Sequence, residues 1–244
     1  MAGLGWRNWE IGDNSPDMVH RAGRCLLVLG FLTVLPMTAE AQWYAGIYLG
    51  ANTTRAADVR VTGPGYDITY PDVSFEAKSF TSPQYYGWRL GRLLGDSRRT
   101  GIELEFIHLK VIARPEELGP EVTRYQMTHG LNFLVVNLVN QIPLGRSAYG
   151  DPPVSLFSKL GAGITIPHAE TTVFGAAQEQ YEIAGLGAQA ALGLSIRLKG
   201  RLSLTTEYKL TYARPEISTA LNGRGRTTAL SHHVAVGVAF GMSR

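Results

Sequence analysis

The feature that most restricts how this chain can fold is an alternation of period two, repeated in eight separate runs between residues 42 and 242. Side chains two apart share one face of a β-strand, so each run reads as a strand. In residues 42–54, Trp43, Ala45, Ile47 and Leu49 oppose Tyr44, Gly46, Tyr48 and Gly50. Residues 85–94, 100–113, 128–143, 154–168, 184–198, 201–214 and 229–242 repeat the pattern. The face opposite the apolar one carries glycines and, in near balance of sign, Arg89, Glu103, Glu105, Lys159, Arg197, Glu207 and Lys209.

The connections are as regular as the strands. Polar stretches after the first, third, fifth and seventh runs are long, those after the second and sixth are tight, and the fourth is followed by a moderate turn at residues 145–153. Long and short connections in alternation lay out an outer-membrane barrel, with short turns in the periplasm and long loops outside. The expectation is an all-β fold: an eight-stranded antiparallel up-and-down transmembrane β-barrel. Residues 54–83, 114–121, 169–180 and 215–227 read as loops, the first with a short strand at 66–73. In so narrow a barrel the charged face fills the lumen with ion pairs and leaves no channel. A soluble lipocalin-type barrel, with its apolar face inward, is the competitor; it would pair the charges on its surface with long side chains rather than glycines. One departure from the usual pattern is the ending, Gly-Met-Ser-Arg after Phe240, where such barrels close on an aromatic residue.

Residues 1–41 stand apart. Arg21 and Arg24 precede an apolar run, and Ala39-Glu40-Ala41 has the small-x-small form of a cleavage site, so the segment reads as a signal peptide that is removed. The barrel domain is then residues 42–244, and its expected location is the bacterial outer membrane. Cleavage takes away the single cysteine and leaves 20 basic and 16 acidic residues in 203, a net charge of +4. Without a basic block or helix, nucleic acid is not an expected partner. The bilayer is, and the barrel is expected to be monomeric.

Run four, THGLNFLVVNLVNQIP, is apolar but broken by Asn132, Asn137 and Asn140. A strand between lipid and a polar lumen can carry such amides. Asn137 breaks the alternation as read from His129, which suggests a bulge or a local change of parity.

Five histidines follow the signal: His108, His129, His168, His232 and His233. Each falls at the extracellular end of its run. His108, His129 and His168 lie on three neighbouring strands and keep the parity of the apolar face, so they are expected near one another on the outer wall, at the height of the outer leaflet. Glu170 shares the parity of His168. His108, His129, His168 and Glu170 offer donor types that suit Zn²⁺, Fe²⁺ or Cu²⁺, and two histidines with a carboxylate suit oxygen chemistry on iron. The three histidines are therefore candidate catalytic residues, and a divalent metal ion is the candidate cofactor. The plainer alternative is that they are amphipathic interface residues, meeting lipid phosphates together with Lys110. Ser231 and His232, as neighbours on a strand, point apart and do not form a nucleophile and base. Glu103 and Glu105 share a face but read as structural ion-pair partners.

Four segments carry a resemblance: Glu105-Phe106-Ile107-His108-Leu109-Lys110, Thr128-His129-Gly130-Leu131-Asn132, residues 161–170 (GAGITIPHAE) and Glu207-Tyr208-Lys209-Leu210-Thr211-Tyr212. Together they resemble the lipid A oxidase family of small Gram-negative outer-membrane barrels. The resemblance implies an enzyme that uses molecular oxygen to oxidise the proximal glucosamine of lipid A, the membrane anchor of lipopolysaccharide, to aminogluconate. It assigns no catalytic residue; the three histidines come from strand parity. A lipid A 3-O-deacylase family also sets a histidine near an asparagine, with a serine between them. Here the order is His129-Gly130-Leu131-Asn132, with leucine where the hydroxyl is needed. A non-catalytic OmpA-like barrel with a structural, adhesive or surface-binding role is the reading from another class.

Overall fold

A computed structural model describes residues 42–95, 97–145 and 153–242; the expected signal peptide and part of the 145–153 turn lie outside them. Among the described residues, eight strands close a barrel: β1 (Gln42–Thr54), β2 (Tyr86–Leu94), β3 (Thr100–His108), β4 (Leu131–Leu144), β5 (Val154–Val173), β6 (Gly185–Lys199), β7 (Leu202–Ala213) and β8 (Ala229–Gly241). Each pairs antiparallel with its neighbour in sequence, and β1 pairs β8 to complete the ring.

The outer wall is apolar. Ile47, Leu49, Leu138, Leu160, Leu186 and Val234 are each more than half exposed. Water does not tolerate a continuous apolar wall of that extent, whereas a bilayer requires one around a closed barrel. The charged face is inside. Arg89 binds Glu207 at 3.2 Å, Lys159 reaches Glu103 at 2.7 Å and Glu207 at 3.4 Å, and Lys209 pairs with Glu105. Three cations thus meet three carboxylates, and Asn137, Gln189 and Tyr44 donate to the carboxylate oxygens that remain. The chain is an integral outer-membrane β-barrel with a paired ionic core, and the lipocalin orientation is inverted relative to what is found.

Two expectations need correction. The connections read as loops are largely strands. The short strand expected at 66–73 is present as Tyr66–Val73, and with Ala57–Gly63, Glu216–Thr219 and Gly223–Arg226 it forms a separate four-stranded sheet. Val122–Met127 and Ala176–Tyr181 flank the upper half of β5. Their apolar members bury a common core: Val59, Val61, Val73, Val111, Val122, Tyr125, Met127, Val173 and Ile217. This lobe is built the opposite way to the barrel, with apolar residues in and polar residues out, because it stands in water.

The second correction concerns β4. Asn137 sits in perfect register opposite Glu103 on one side and Gly161 on the other, without a bulge. It faces the lumen with Leu131, Phe133, Val135 and Val139, which are all buried. The upper inward residues of β4 are apolar because they belong to the lobe core, so β4 has apolar residues on both faces. Asn132 and Asn140, on the opposite parity, face outward.

Candidate functional site

β5 is 20 residues long. A membrane-crossing strand needs about 9–11. Pairing with β6 ends at Thr165–Gly185, and above that level β5 takes new partners. Its inward residues there, Ala169, Thr171 and Val173, enter or border the lobe core, so His168 and Glu170 point outward just above the lipid-facing wall. Exposed Ile183, Leu186 and Tyr181 lie beside them.

His129 is not on a strand. It lies in the turn between Val122–Met127 and β4, closed by Gly130 at a φ of 103° that a side chain would strain. The Gly130 carbonyl accepts the His168 backbone N–H at 3.0 Å, which fixes the turn against β5. The two imidazoles then meet nearly edge to face, with centroids 4.7 Å apart.

Glu170 Oε1 lies 3.8 Å from Nδ1 of His129 and 3.8 Å from Nδ1 of His168. One ligand atom from each of the three residues falls within 4.8 Å of the others. Bonds of about 2.0–2.2 Å to one ion put ligand atoms roughly 3 to 3.5 Å apart, so the two 3.8 Å contacts would close by a few tenths of an ångström and a separation at the 4.8 Å limit by about 1.3 Å. Thr128 Oγ1 donates to Oε1 and Gln126 Nε2 to Oε2 at 2.8 Å, with Arg124 at 3.5 Å. Burial pushes the Glu170 carboxyl up, but the bonds from Thr128 and Gln126 and the charge of Arg124 outweigh it and hold the group below its ordinary value. The site therefore offers a carboxylate.

His168 is nearly buried, and its Nδ1 has no hydrogen-bond partner, although such buried atoms are normally satisfied. Directly across the strand pair, Glu170 faces Glu179. Like charges in that position repel. An unpartnered imidazole nitrogen and two opposed carboxylates both fit a cation at this point, and two imidazoles with a carboxylate are the donors an iron or zinc ion takes.

His108, expected in the same group, is engaged elsewhere. Its ring stacks on Tyr86 at 4.9 Å and its Nδ1 meets Asn132 Oδ1 at 2.9 Å. His232 faces outward and bonds Tyr208 at 2.5 Å, while His233 is buried in the interior against Thr211. Ser231 bonds Thr54 inside, away from His232. Thr128, Gln126, Arg124 and Glu179 were not legible as site residues; Arg124 and Gln126 sit on a strand, Val122–Met127, that the sequence assigns to no element, and Glu179 on one that reads as polar loop.

No family model and no curated protein matches the chain. Solved structures similar to it include Neisserial surface protein A (10% identity, 83% of this chain and 99% of that one, TM-score 0.42). Others are OprG of Pseudomonas aeruginosa (11%, 84% and 97%, 0.43) and the outer membrane protease OmpT of Escherichia coli (8%, 86% and 99%, 0.42). At such identities and scores they assign neither ancestry nor activity.

Proposed function

We propose that this barrel is a lipid A-modifying enzyme, an oxidase that works from its outer rim with molecular oxygen and a divalent metal ion. The observation that carries the reading is the convergence of His129, His168 and Glu170 on the outward face just above the lipid-facing wall. His129, His168 and Glu170 would hold the ion, and two histidines with a carboxylate are the donor set that suits oxygen chemistry on iron. When bound, such an ion would supply the redox chemistry; the chain's own residues hold and orient it and aim it sideways at the membrane surface. The neighbour expected there is a lipid headgroup, and the exposed Leu186 and Ile183 suit its acyl chains. The choice of lipid A, and of its proximal glucosamine as the group oxidised to aminogluconate, rests on the sequence resemblance.

Mass spectrometry of lipid A from cells with and without the protein tests this. Lipid A should gain one oxygen atom in aerobic cells making the wild-type barrel, and should not with His168→Ala or without oxygen. Unchanged lipid A in cells that fold and export the wild type defeats the proposal and leaves a surface-binding barrel.

A further inference from the structure

We infer that Glu179 is the positioning residue of this centre: it accepts a hydrogen bond from Nε2–H of His168, holds the proton on that nitrogen and so dedicates Nδ1 to the metal. The inference rests on the metal reading above and adds to it the tautomer of one ligand and the group that sets it. A neutral imidazole carries one proton, and whichever nitrogen holds it cannot ligate. In His168 the two nitrogens have opposite surroundings. Nε2 lies 3.0 Å from Glu179 Oε1, a carboxylate that can only accept while ionised. Nδ1 is buried, has no partner, and lies 3.8 Å from Glu170 Oε1 on the side where His129 Nδ1 also arrives. The ring is held in that sense by Tyr181, packed against it at 4.3 Å, and by the edge of His129.

Burial does not explain the pair, since the Glu179 side chain is 63% exposed. Nor does strand pairing favour it. Glu179 stands directly opposite Glu170, where a like charge costs stability, and a lysine or threonine would suit the sheet better. A carboxylate behind a ligating histidine fixes the ring and raises its basicity, which offsets that cost only if the other nitrogen is used.

The test uses the full barrel, refolded and purified in detergent, with Co²⁺ as the probe. Glu179→Ala should weaken Co²⁺ binding about ten- to a hundredfold, the usual cost of losing such a partner. Glu179→Gln keeps an oxygen that accepts the Nε2 proton and should restore most of the affinity. Glu179→Ala binding as well as wild type, or Glu179→Gln binding as poorly as Glu179→Ala, overturns the inference. Nitrogen-15 NMR of the metal-free barrel separates this from the broader reading. His168 should carry its proton on Nε2 in wild type and lose that preference in Glu179→Ala. A proton on Nδ1 in wild type defeats the inference whether or not the barrel binds metal, whereas an Nε2 proton in a barrel that ignores Co²⁺ defeats the metal reading alone.

Discussion

At the scale of single residues, the barrel separates two uses of charge. In the lumen, Glu103, Glu105 and Glu207 are neutralised by Arg89, Lys159 and Lys209, all buried, and every ion depends on its neighbours. Lys209→Met would leave Glu105 without its nearest cation. Breaking a buried pair from one side costs roughly 3–5 kcal/mol, so urea unfolding in vesicles should show a loss of that order. A change below about 1 kcal/mol would mean the network re-pairs through Lys159, which lies 3.9 Å from Glu105. At the rim, by contrast, Glu170 is held ionised by side chains that do not neutralise the facing histidines. Glu170→Gln keeps the shape but removes the charge. It should abolish tight Co²⁺ binding while leaving heat-modifiable gel migration intact, and retained affinity would show that the two histidines bind without it.

At the scale of elements, glycines on the lumen face of β2 make room for aromatic rings. A Cβ on Gly91 would fall 2.2 Å from the ring of Tyr44, and one on Gly87 would fall 2.1 Å from that of Tyr48. Gly91→Val should therefore displace Tyr44 from Glu103, to which it donates at 2.7 Å, and cost roughly 1–3 kcal/mol in the same unfolding assay. These staves were legible in the sequence because lipid on one side and a narrow lumen on the other impose alternation over nine residues or more. Of the lobe strands only the one at 66–73 was. Residues 57–63 are short and run into Gly63-Pro64-Gly65, their apolar Val59 and Val61 pack against segments far away in sequence, and residues 223–226 are Gly-Arg-Gly-Arg, with no apolar side chain to alternate. The site inherited that division. His168 and Glu170 could be placed by extending the parity of β5, whereas His129 reaches them through a turn and Glu179 through a strand that reads as polar loop. His108 kept the outward parity and lies against Gly130, yet its Nδ1 is taken by Asn132 and it is not one of the three converging ligands, since parity fixes a face and not a partner.

At the scale of the molecule, the lobe and the barrel are held by different forces and should respond to different insults. The four-stranded lobe sheet carries Glu216 between Arg224 and Arg226 on its exposed face. The hydrogen bond from Arg226 is the largest influence that holds the Glu216 carboxyl below its ordinary value. A carboxylate with a depressed folded value contributes stability that is present above its unfolded value, about 4.3, and is lost as pH falls through the folded one. For a pair this open to water the contribution is at most about 1 kcal/mol. Hydrogen-exchange protection factors at residues 216–226, corrected for the intrinsic rate at each pH, should thus fall severalfold below about pH 4 while those of β1 and β8 do not, because closed backbone pairing in lipid has no water to exchange with. Protection falling equally in lobe and barrel would show a single cooperative unit instead. The two parts also close the lumen twice. A cavity of about 310 Å³ enters from the periplasmic mouth and reaches Arg89, Glu103 and Lys159, where the ionic network fills the bore. Above that network Ile107, Leu131, Phe133 and Val135 are buried beneath the lobe core. An ion crossing from one side to the other would have to displace paired charges and then an apolar plug. The purified barrel in a planar bilayer should accordingly show no unitary conductance, and reproducible current steps of fixed size would mean that one of the two closures opens.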